Sequence, residues 1–159
     1  MPVIEEPRAA SASTQTSGRP VEVLLVEDNP GDVRLTQEAL KEGRVMVNLT
    51  VAVDGVEAMD ILNRNGPYKD KRHPDLILLD LNLPKKNGRE VLLEIKADAE
   101  LRRIPVIVMT TSKAEQDVHR AYNLNANCYI TKPVDLDEFL HVVRSIEDFW
   151  LTIVTLPKH

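Results

Sequence analysis

The stretch Asp75-Leu76-Ile77-Leu78-Leu79-Asp80-Leu81-Asn82-Leu83-Pro84 decides how the rest of the chain is interpreted. An apolar run ends in a carboxylate, Asp80, and Pro84 closes the segment. A short continuous run of this kind is typical of a strand buried on both faces of a parallel sheet. A carboxylate at the end of such a strand is costly to ionise unless another group compensates its charge. The stretch therefore predicts that other parts of the chain bring compensating groups to Asp80.

Composition and charge fit a globular protein with one folded domain and a tail. The chain has 159 residues, of which 43% are hydrophobic, a formal net charge of −5 and a single cysteine, Cys128. The acidic balance argues against direct binding of nucleic acid, which favours a basic surface. No apolar run is as long as a membrane-spanning helix, and the N-terminus has no apolar signal core. These features predict a cytoplasmic protein that contacts neither nucleic acid nor membrane directly.

Three regions differ in their sequence pattern. Residues 1–20 are rich in Ser, Thr, Ala and Pro and lack periodicity, so they are predicted to be a disordered tail. Residues 21–147 are predicted to be the folded domain. Residues 148–159 are predicted to be an apolar extension that continues from the last helix, with no further domain after it.

An apolar run, a helix-start signal and an amphipathic segment follow one another five times from residue 21. The predicted strands are residues 21–27, 46–53, 76–80, 106–110 and 128–131. After each strand, a short polar residue precedes an acid by three positions, which is a capping pattern for helix N-termini. The five tetrads are Asn29-Pro30-Gly31-Asp32, Asp54-Gly55-Val56-Glu57, Asn87-Gly88-Arg89-Glu90, Ser112-Lys113-Ala114-Glu115 and Asp135-Leu136-Asp137-Glu138. The repeat therefore predicts five strands that alternate with five helices.

Five such alternations predict an α/β fold with a parallel sheet and helices on both faces. Among the topologies with right-handed crossovers, we expect the flavodoxin-like (βα)5 doubly wound sheet with strand order 2-1-3-4-5. Helical spacing predicts which side chains of the second and third helices are buried. They are Val56, Met59 and Leu62 in the second, and Val91, Leu92 and Ile95 in the third.

Charged and polar residues follow the strands that this order places side by side. Glu27 and Asp28 end the first strand and Asp80 ends the third, while Thr110 and Lys132 end the fourth and fifth. Open α/β sheets bind ligands at this edge. Three neighbouring acids repel one another, and a hard divalent cation such as Mg²⁺, together with Lys132, would relieve that repulsion. An ionised Asp80 could then act as a nucleophile in phosphoryl transfer.

These residues resemble the receiver domain of bacterial two-component signalling, which would span residues 21–147. The matching segments are Leu25-Val26-Glu27-Asp28-Asn29, Asp80-Leu81-Asn82-Leu83-Pro84, Gly88, Pro105-Val106-Ile107-Val108-Met109-Thr110 and Tyr129-Ile130-Thr131-Lys132-Pro133. The resemblance implies a response regulator that takes a phosphoryl group from a sensor histidine kinase. Such a domain is not a conventional enzyme, although it can catalyse its own phosphorylation and dephosphorylation.

The resemblance also implies a role for each acid. Asp80 is the phosphoacceptor. Asp28 and Asp80 bind Mg²⁺, or another divalent cation such as Mn²⁺, directly. Glu27 acts mainly through water, and Asn82 contributes its backbone carbonyl.

The same resemblance assigns the residues beyond the metal. Thr110 and Lys132 contact the phosphoryl group, and the bond before Pro133 is cis. Tyr129 is a switch residue that turns inward as Thr110 moves, which alters a face made of the fourth helix, the fifth strand and the fifth helix. The alternative for Tyr129 is a half-buried strand aromatic whose hydroxyl reaches water.

The C-terminal extension and an insertion resemble the small regulators that are paired with phytochrome kinases. Phe149, Trp150 and Ile153 in the extension are candidates for a homodimer interface, because apolar clusters of this size are seldom left exposed. The alternative is a longer last helix that folds back on its own core. The insertion, residues 66–74, carries a basic run that is interpreted as a solvated loop rather than a docking site.

The residues disfavour three other functions. An aspartyl-phosphate phosphatase would carry an acid at the position of Asn82, and an amide cannot transfer the proton. A receiver-like module that is never phosphorylated is disfavoured by the complete set of acids, hydroxyl and lysine. A flavin-binding protein is disfavoured because no phosphate-binding loop rich in Ser, Thr and Gly follows the first strand.

Overall fold

The structure of the chain is a computed structural model. It describes residues 20–42, 46–110 and 128–131, the last four through their backbone, and the single helical positions 137, 141, 144 and 145. Several predictions lie outside the described residues: the tail up to residue 19, the fourth helix, most of the fifth, and the extension at 148–159. Individual residues of the predicted site and interface that lie outside them are Lys132, Pro133, Phe149, Trp150 and Ile153.

Five strands form one sheet. They are β1 (Val21–Val26), β2 (Val47–Ala52), β3 (Leu76–Asp80), β4 (Val106–Thr110) and β5 (Cys128–Thr131). Their order is β2-β1-β3-β4-β5, and every neighbouring pair is parallel. This confirms the predicted flavodoxin-like order 2-1-3-4-5. The last three strands have their predicted bounds, whereas β1 ends one residue earlier than predicted and β2 is one residue shorter at each end.

Three described helices follow the first three strands. They are α1 (Pro30–Lys41), α2 (Gly55–Leu62) and α3 (Gly88–Ala97), and short 3-10 turns occur at Gly66–Tyr68 and Leu101–Arg103. Each helix begins at its predicted cap, because the side chains of Asn29, Asp54 and Asn87 accept from the backbone N–H three residues later. At α3 the cap is a complete capping box with Glu90. None of the described helices is long and apolar enough to cross a membrane.

Alternate residues of the central strands pack into two cores on opposite faces of the sheet. One core joins β1, β3 and β4 to α2 and α3, and its members Leu79 and Val91 have no exposed surface. The other core joins the remaining side chains of the same strands to Val33 of α1. Every residue of β3 and β4 is buried, as the continuous apolar run predicts for a strand covered on both faces.

The predicted apolar face of α2 was partly wrong. Met59 and Leu62 are buried as expected, but Val56 is 45% exposed, and Ala58 and Ile61 take part in the core instead. In an eight-residue helix with so many apolar residues, spacing alone does not fix which side faces the sheet. The predicted buried face of α3 is confirmed, because Val91, Leu92 and Ile95 all have no exposed surface.

The insertion at residues 66–74 is anchored at both ends. The Tyr68 ring packs against the core, and its hydroxyl donates to a Glu57 carboxylate oxygen at 3.3 Å. His73 Nε2 lies 3.1 Å from the carbonyl of Leu62 at the end of α2. Between these anchors Lys69 and Arg72 are exposed, which agrees with a solvated basic run. The insertion therefore lies against α2, with Lys69, Asp70 and Arg72 exposed and Lys71 half-buried.

Candidate functional site

Three carboxylates meet at the carboxyl edge of the sheet. Glu27, Asp28 and Asp80 each offer an oxygen atom, and these atoms all lie within 4.8 Å of one another. The register explains the meeting, because Val26 of β1 pairs with Leu79 of β3, so the residues that follow them are neighbours. The structure thus brings together the three acids that the sequence predicted, two from the end of β1 and one from the end of β3.

Backbone N–H groups orient the two buried acids. Glu27 is 1% exposed and Asp80 is 5% exposed. A Glu27 carboxylate oxygen accepts from the N–H of Asn29 at 3.2 Å, and Oδ1 of Asp80 accepts from the N–H of Asn82 at 3.0 Å. Asp28 is exposed to solvent. The cluster therefore consists of two buried acids, each oriented by a backbone N–H, and one acid that is open to water.

The start of α3 holds the backbone of Asp80 closely. A Cβ on Gly88 would lie 2.5 Å from the carbonyl oxygen of Asp80, so only glycine allows this approach. The N–H of Gly88 donates to Leu81 at 3.1 Å, and the N–H of Leu81 donates to Met109 of β4 at 3.3 Å. These contacts fix the residues on the C-terminal side of Asp80 to both α3 and β4.

The remaining predicted residues are only partly described. Thr110 is fully buried at the end of β4, one residue beyond Met109, which pairs with Asp80. Thr110 pairs with Thr131, the last residue of β5. Lys132 follows Thr131 in the sequence but lies outside the described residues. Tyr129 is described only through its backbone in β5. The positions of Thr110 and β5 therefore agree with the predicted edge, while the side-chain roles stay predictions.

The donor set fits a hard divalent cation. Carboxylate oxygens are the ligands that Mg²⁺ and Mn²⁺ prefer, and Mg²⁺ is usually held by one or two carboxylates together with water or phosphate oxygens. Three acids within 4.8 Å of one another, two of them buried, need a positive charge nearby to stay ionised together. The residues that would hold the ion are Glu27, Asp28 and Asp80, with the backbone carbonyl of Asn82 predicted as a further ligand.

Sequence reasoning missed a contact between the loop after β3 and the first turn of α2. Asp54, the N-cap of α2, forms an ion pair with Lys85 at 3.4 Å. The pKa of Asp54 is lowered mainly by the backbone N–H of Glu57; burial opposes the shift, and Lys85 lowers the pKa further. A Cβ on Gly55 would lie 1.9 Å from the carbonyl oxygen of Lys86. The only signal in the sequence was Gly55 within a capping tetrad, which has no partner until the fold is known.

A family comparison matches most of the chain. Residues 23–144 match the family described as the response regulator receiver domain. The match covers most of the first predicted strand, all of the other four, the three acids, and the residues Thr110 and Lys132.

Individual proteins are similar over nearly their whole length. Response regulator Rcp1 from Synechocystis sp. is 51% identical over 141 residues, which are 89% of this chain and 96% of the relative. The crystal structure of the phosphorylated cyanobacterial phytochrome response regulator RcpA has a TM-score of 0.81 at 51% identity, covering 88% of this chain and all of the other. The Mn²⁺-bound form of Rcp1 has a TM-score of 0.80 at 51% identity, covering 87% of this chain and 100% of the other.

Proposed function

This chain belongs to the response regulator receiver domain family, and on this premise we propose that Asp80 is the residue that accepts the phosphoryl group. The chain is a phosphoacceptor of two-component signalling, homologous to phytochrome response regulators, and its donor is a sensor histidine kinase. The observation that carries the assignment of Asp80 is its place in the cluster of three acids at the carboxyl edge of the sheet.

Phosphoryl transfer to Asp80 needs positioning and charge neutralisation more than covalent chemistry from other groups. A carboxylate oxygen of Asp80 attacks phosphorus, the O–P bond forms as the P–N bond to the donor imidazole breaks, and the electron pair returns to the imidazole nitrogen. The Asn82 N–H, which donates to Oδ1, holds the carboxylate in one orientation for this attack. Burial of Asp80 limits the water around it.

Mg²⁺, or Mn²⁺ in its place, is the proposed cofactor. When bound, it neutralises the carboxylates and the incoming phosphoryl oxygens. Glu27, Asp28, Asp80 and the backbone carbonyl of Asn82 are the proposed ligands, supported by the convergence of the three acids and by the Mn²⁺-bound form of the relative Rcp1. Asp28 is exposed and Glu27 is buried, which suits a direct ligand for the first and an orienting role through water for the second.

The signal is proposed to leave through the fourth helix, β5 and the fifth helix. Thr110 and Lys132 would contact the phosphoryl group, whose strong acceptor oxygens favour donors of this kind. Movement of Thr110 would make room for Tyr129 to turn inward. Thr110 is completely buried at the end of β4, between β3 and β5. If its side chain moved, other atoms would have to fill the space that it leaves, and this supports the proposed inward turn of Tyr129.

Partner, assembly and domain limits are proposed from the sequence. The histidine kinase is proposed to be of the phytochrome type, supported by the similarity to phytochrome response regulators. A homodimer is proposed through Phe149, Trp150 and Ile153, together with the output face. The division into a tail at 1–20, a receiver domain at 21–147 and an extension at 148–159 stays a prediction, as does a cytoplasmic location.

Acetyl phosphate tests the acceptor directly. With Mg²⁺ present, intact mass should show one added phosphoryl group on the wild type and none on Asp80→Asn, because the amide is not a nucleophile of this kind. Lys132→Ala should still be labelled, but without the change in hydrogen exchange that labelling causes at the output face of the wild type. Stoichiometric phosphate on Asp80→Asn would overturn the assignment of the acceptor.

A further inference from the structure

We propose that the first turn of α2, through Asp54 and Gly55, positions the loop of residues 82–87 and thereby the metal-binding carboxylate of Asp80. The inference rests on the proposed function, because it concerns the same metal site. It adds two positioning residues that contact neither the metal nor the phosphoryl group.

The loop lies directly on the backbone of α2. A Cβ on Gly55 would lie 1.9 Å from the carbonyl oxygen of Lys86 and 2.7 Å from its carbonyl carbon. Both are backbone atoms, so a side chain at position 55 could be accommodated only if the loop or the helix moved. Gly55 is buried, and the loop therefore covers it. The position of Lys86 is set by how closely its backbone can approach α2.

An ion pair holds the neighbouring residue of the loop in an unusual conformation. Lys85 has φ +65°, in the left-handed region that lysine rarely adopts. Its ammonium lies 3.4 Å from a carboxylate oxygen of Asp54, whose other oxygen accepts from the N–H of Glu57. Because conformations of this kind persist only where the surroundings hold them, the ion pair and the contact at Gly55 act together on the loop.

Both ends of the loop are attached to Asp80. At one end the N–H of Asn82 donates to Oδ1 of Asp80 at 3.0 Å. At the other end the backbone of Gly88 lies close against that of Asp80, since an ideal Cβ on Gly88 would be 2.5 Å from the Asp80 carbonyl oxygen. A displacement of the loop away from α2 must therefore move the Asn82 N–H, the start of α3, or both. The Asp80 carboxylate would turn with them.

The first turn of α2 is itself held from behind. One oxygen of Glu57 accepts from the N–H of Val53 at 2.9 Å, and the other accepts from the hydroxyl of Tyr68 at 3.3 Å. Burial, and after it the nearby Glu57 carboxylate, raises the pKa of Tyr68 above its ordinary value of 10.0. The turn that carries Asp54 and Gly55 is thus held by contacts on its other side as well as by the loop.

The test measures the dissociation constant of Mn²⁺ by the electron paramagnetic resonance signal of the unbound ion. Asp54→Asn keeps a good N-cap and removes the charge, and Lys85→Gln removes the other charge at similar length. Positioning predicts that both substitutions weaken Mn²⁺ binding, by about two- to fivefold for an ion pair that is partly exposed. Both substitutions remove the same ion pair. The double variant should therefore lose no more Mn²⁺ affinity than the single variant that binds Mn²⁺ more weakly.

The sign of the Lys85→Gln effect separates positioning from simple charge. Removing a positive charge near a cation site strengthens Mn²⁺ binding if charge alone acts. Lys86→Gln is the matched control, because it removes the same charge one residue further along and its side chain pairs with Glu94 rather than with α2. Mn²⁺ binding to Lys86→Gln should be unchanged or tighter. Tighter binding to Lys85→Gln, equal to that of Lys86→Gln, would overturn the proposal.

Gly55→Ala gives a larger perturbation of the same contact. We expect at least a tenfold loss of Mn²⁺ affinity in protein that circular dichroism shows to be folded, and slower labelling by acetyl phosphate. Gly31→Ala is the control, since its methyl group meets only a side-chain oxygen, of Asn29, at 3.2 Å. If Gly55→Ala does not fold, the two charge variants still decide. Wild-type affinity in Gly55→Ala would overturn the positioning role.

Failure of the proposed function has a different signature. If Asp28→Asn and the wild type bind Mn²⁺ equally weakly, the cluster is not a metal site, and both proposals are wrong. If the wild type binds Mn²⁺, Asp28→Asn does not, and the variants at positions 54, 55 and 85 match the wild type, only the positioning inference is wrong.

Discussion

Replacing Gly88 with alanine is expected to slow phosphorylation of Asp80 much more than it destabilises the fold. An ideal Cβ at position 88 would lie 2.5 Å from the Asp80 carbonyl oxygen and 2.6 Å from Cα of Leu81. Ordinary contact begins at 3.4 Å, so the first turn of α3 and the backbone of Asp80 must separate by 0.9 Å, the difference between the two distances. All the atoms concerned belong to the backbone or to a Cβ, and none of them can move by a side-chain rotation alone.

The displacement sets the expected magnitudes. Overpacking of this kind costs about 1–3 kcal/mol, and the better helix propensity of alanine returns up to about 1 kcal/mol. The free energy of unfolding should therefore fall by about 0–3 kcal/mol, which a folded domain tolerates. A displacement near 1 Å at a reacting group costs about 100-fold in rate. The labelling rate of Gly88→Ala should thus be about two orders of magnitude below that of the wild type.

The rate is measured by intact mass after mixing with acetyl phosphate and Mg²⁺, and denaturant unfolding is measured on the same sample. Gly31→Ala is the control, because the same methyl group is added in the first turn of α1, where only the Asn29 side chain must move. Its labelling rate should stay within about threefold of the wild type, as expected where no reacting group is displaced. A folded Gly88→Ala protein that is labelled as fast as Gly31→Ala would refute the reasoning from close backbone approach.

Two further predictions concern the charge at α2 and the C-terminal extension. The folded pKa of Asp54 lies below its ordinary value of 3.8, so the charge of Asp54 stabilises the fold above that pH and loses its effect as the pH falls through the folded pKa. Unfolding in denaturant should show the stability difference between wild type and Asp54→Asn shrinking below pH 3.8, and a difference that grows on acidification would contradict the assignment. If Phe149, Trp150 and Ile153 form a homodimer interface, Trp150→Ala should raise the dimer dissociation constant by at least about tenfold in sedimentation equilibrium, since buried Trp anchors are worth about 2 kcal/mol or more. An unchanged constant, or a wild type that is monomeric, would assign the extension to the protein's own core.

The sheet and the cluster of acids could be predicted because both depend on local signals. Continuous burial of β3 requires apolar residues at every position before Asp80, and the end of the apolar run marks the strand end to within one residue. Once the strand order is chosen, parallel pairing forces Glu27, Asp28 and Asp80 to one edge, whatever their side-chain details. The capping tetrads were equally local, because a cap and its acceptor lie three residues apart.

The side on which α2 faces the sheet could not be predicted, since it depends on small differences in packing. Val56, Met59 and Leu62 have helical spacing, but so do Ala58, Ile61 and Leu62. Ala58, Met59, Ile61 and Leu62 are all buried, whereas Val56 is exposed next to the cap. The first turn of α2 is also covered at Gly55 by the backbone of Lys86, a residue much later in the chain, and no local signal announces that contact.

The contact between Gly55 and Lys86 shows why a correct local interpretation can leave a second role hidden. Position 55 is the first helical residue after an N-cap, where many residues are acceptable, so a glycine there carries no strong local meaning. Lys85 at φ +65° is likewise invisible, because left-handed residues are expected at Gly, Asn or Asp. Each residue is ordinary or slightly unfavourable alone, and the two become mutually consistent only when the loop reaches α2. Local choices that conflict with propensity often mark functional sites, and here the conflict lies in the loop that carries Asn82. That is the physical reason to seek the control of the metal site in α2, on the side of β3 away from Thr110.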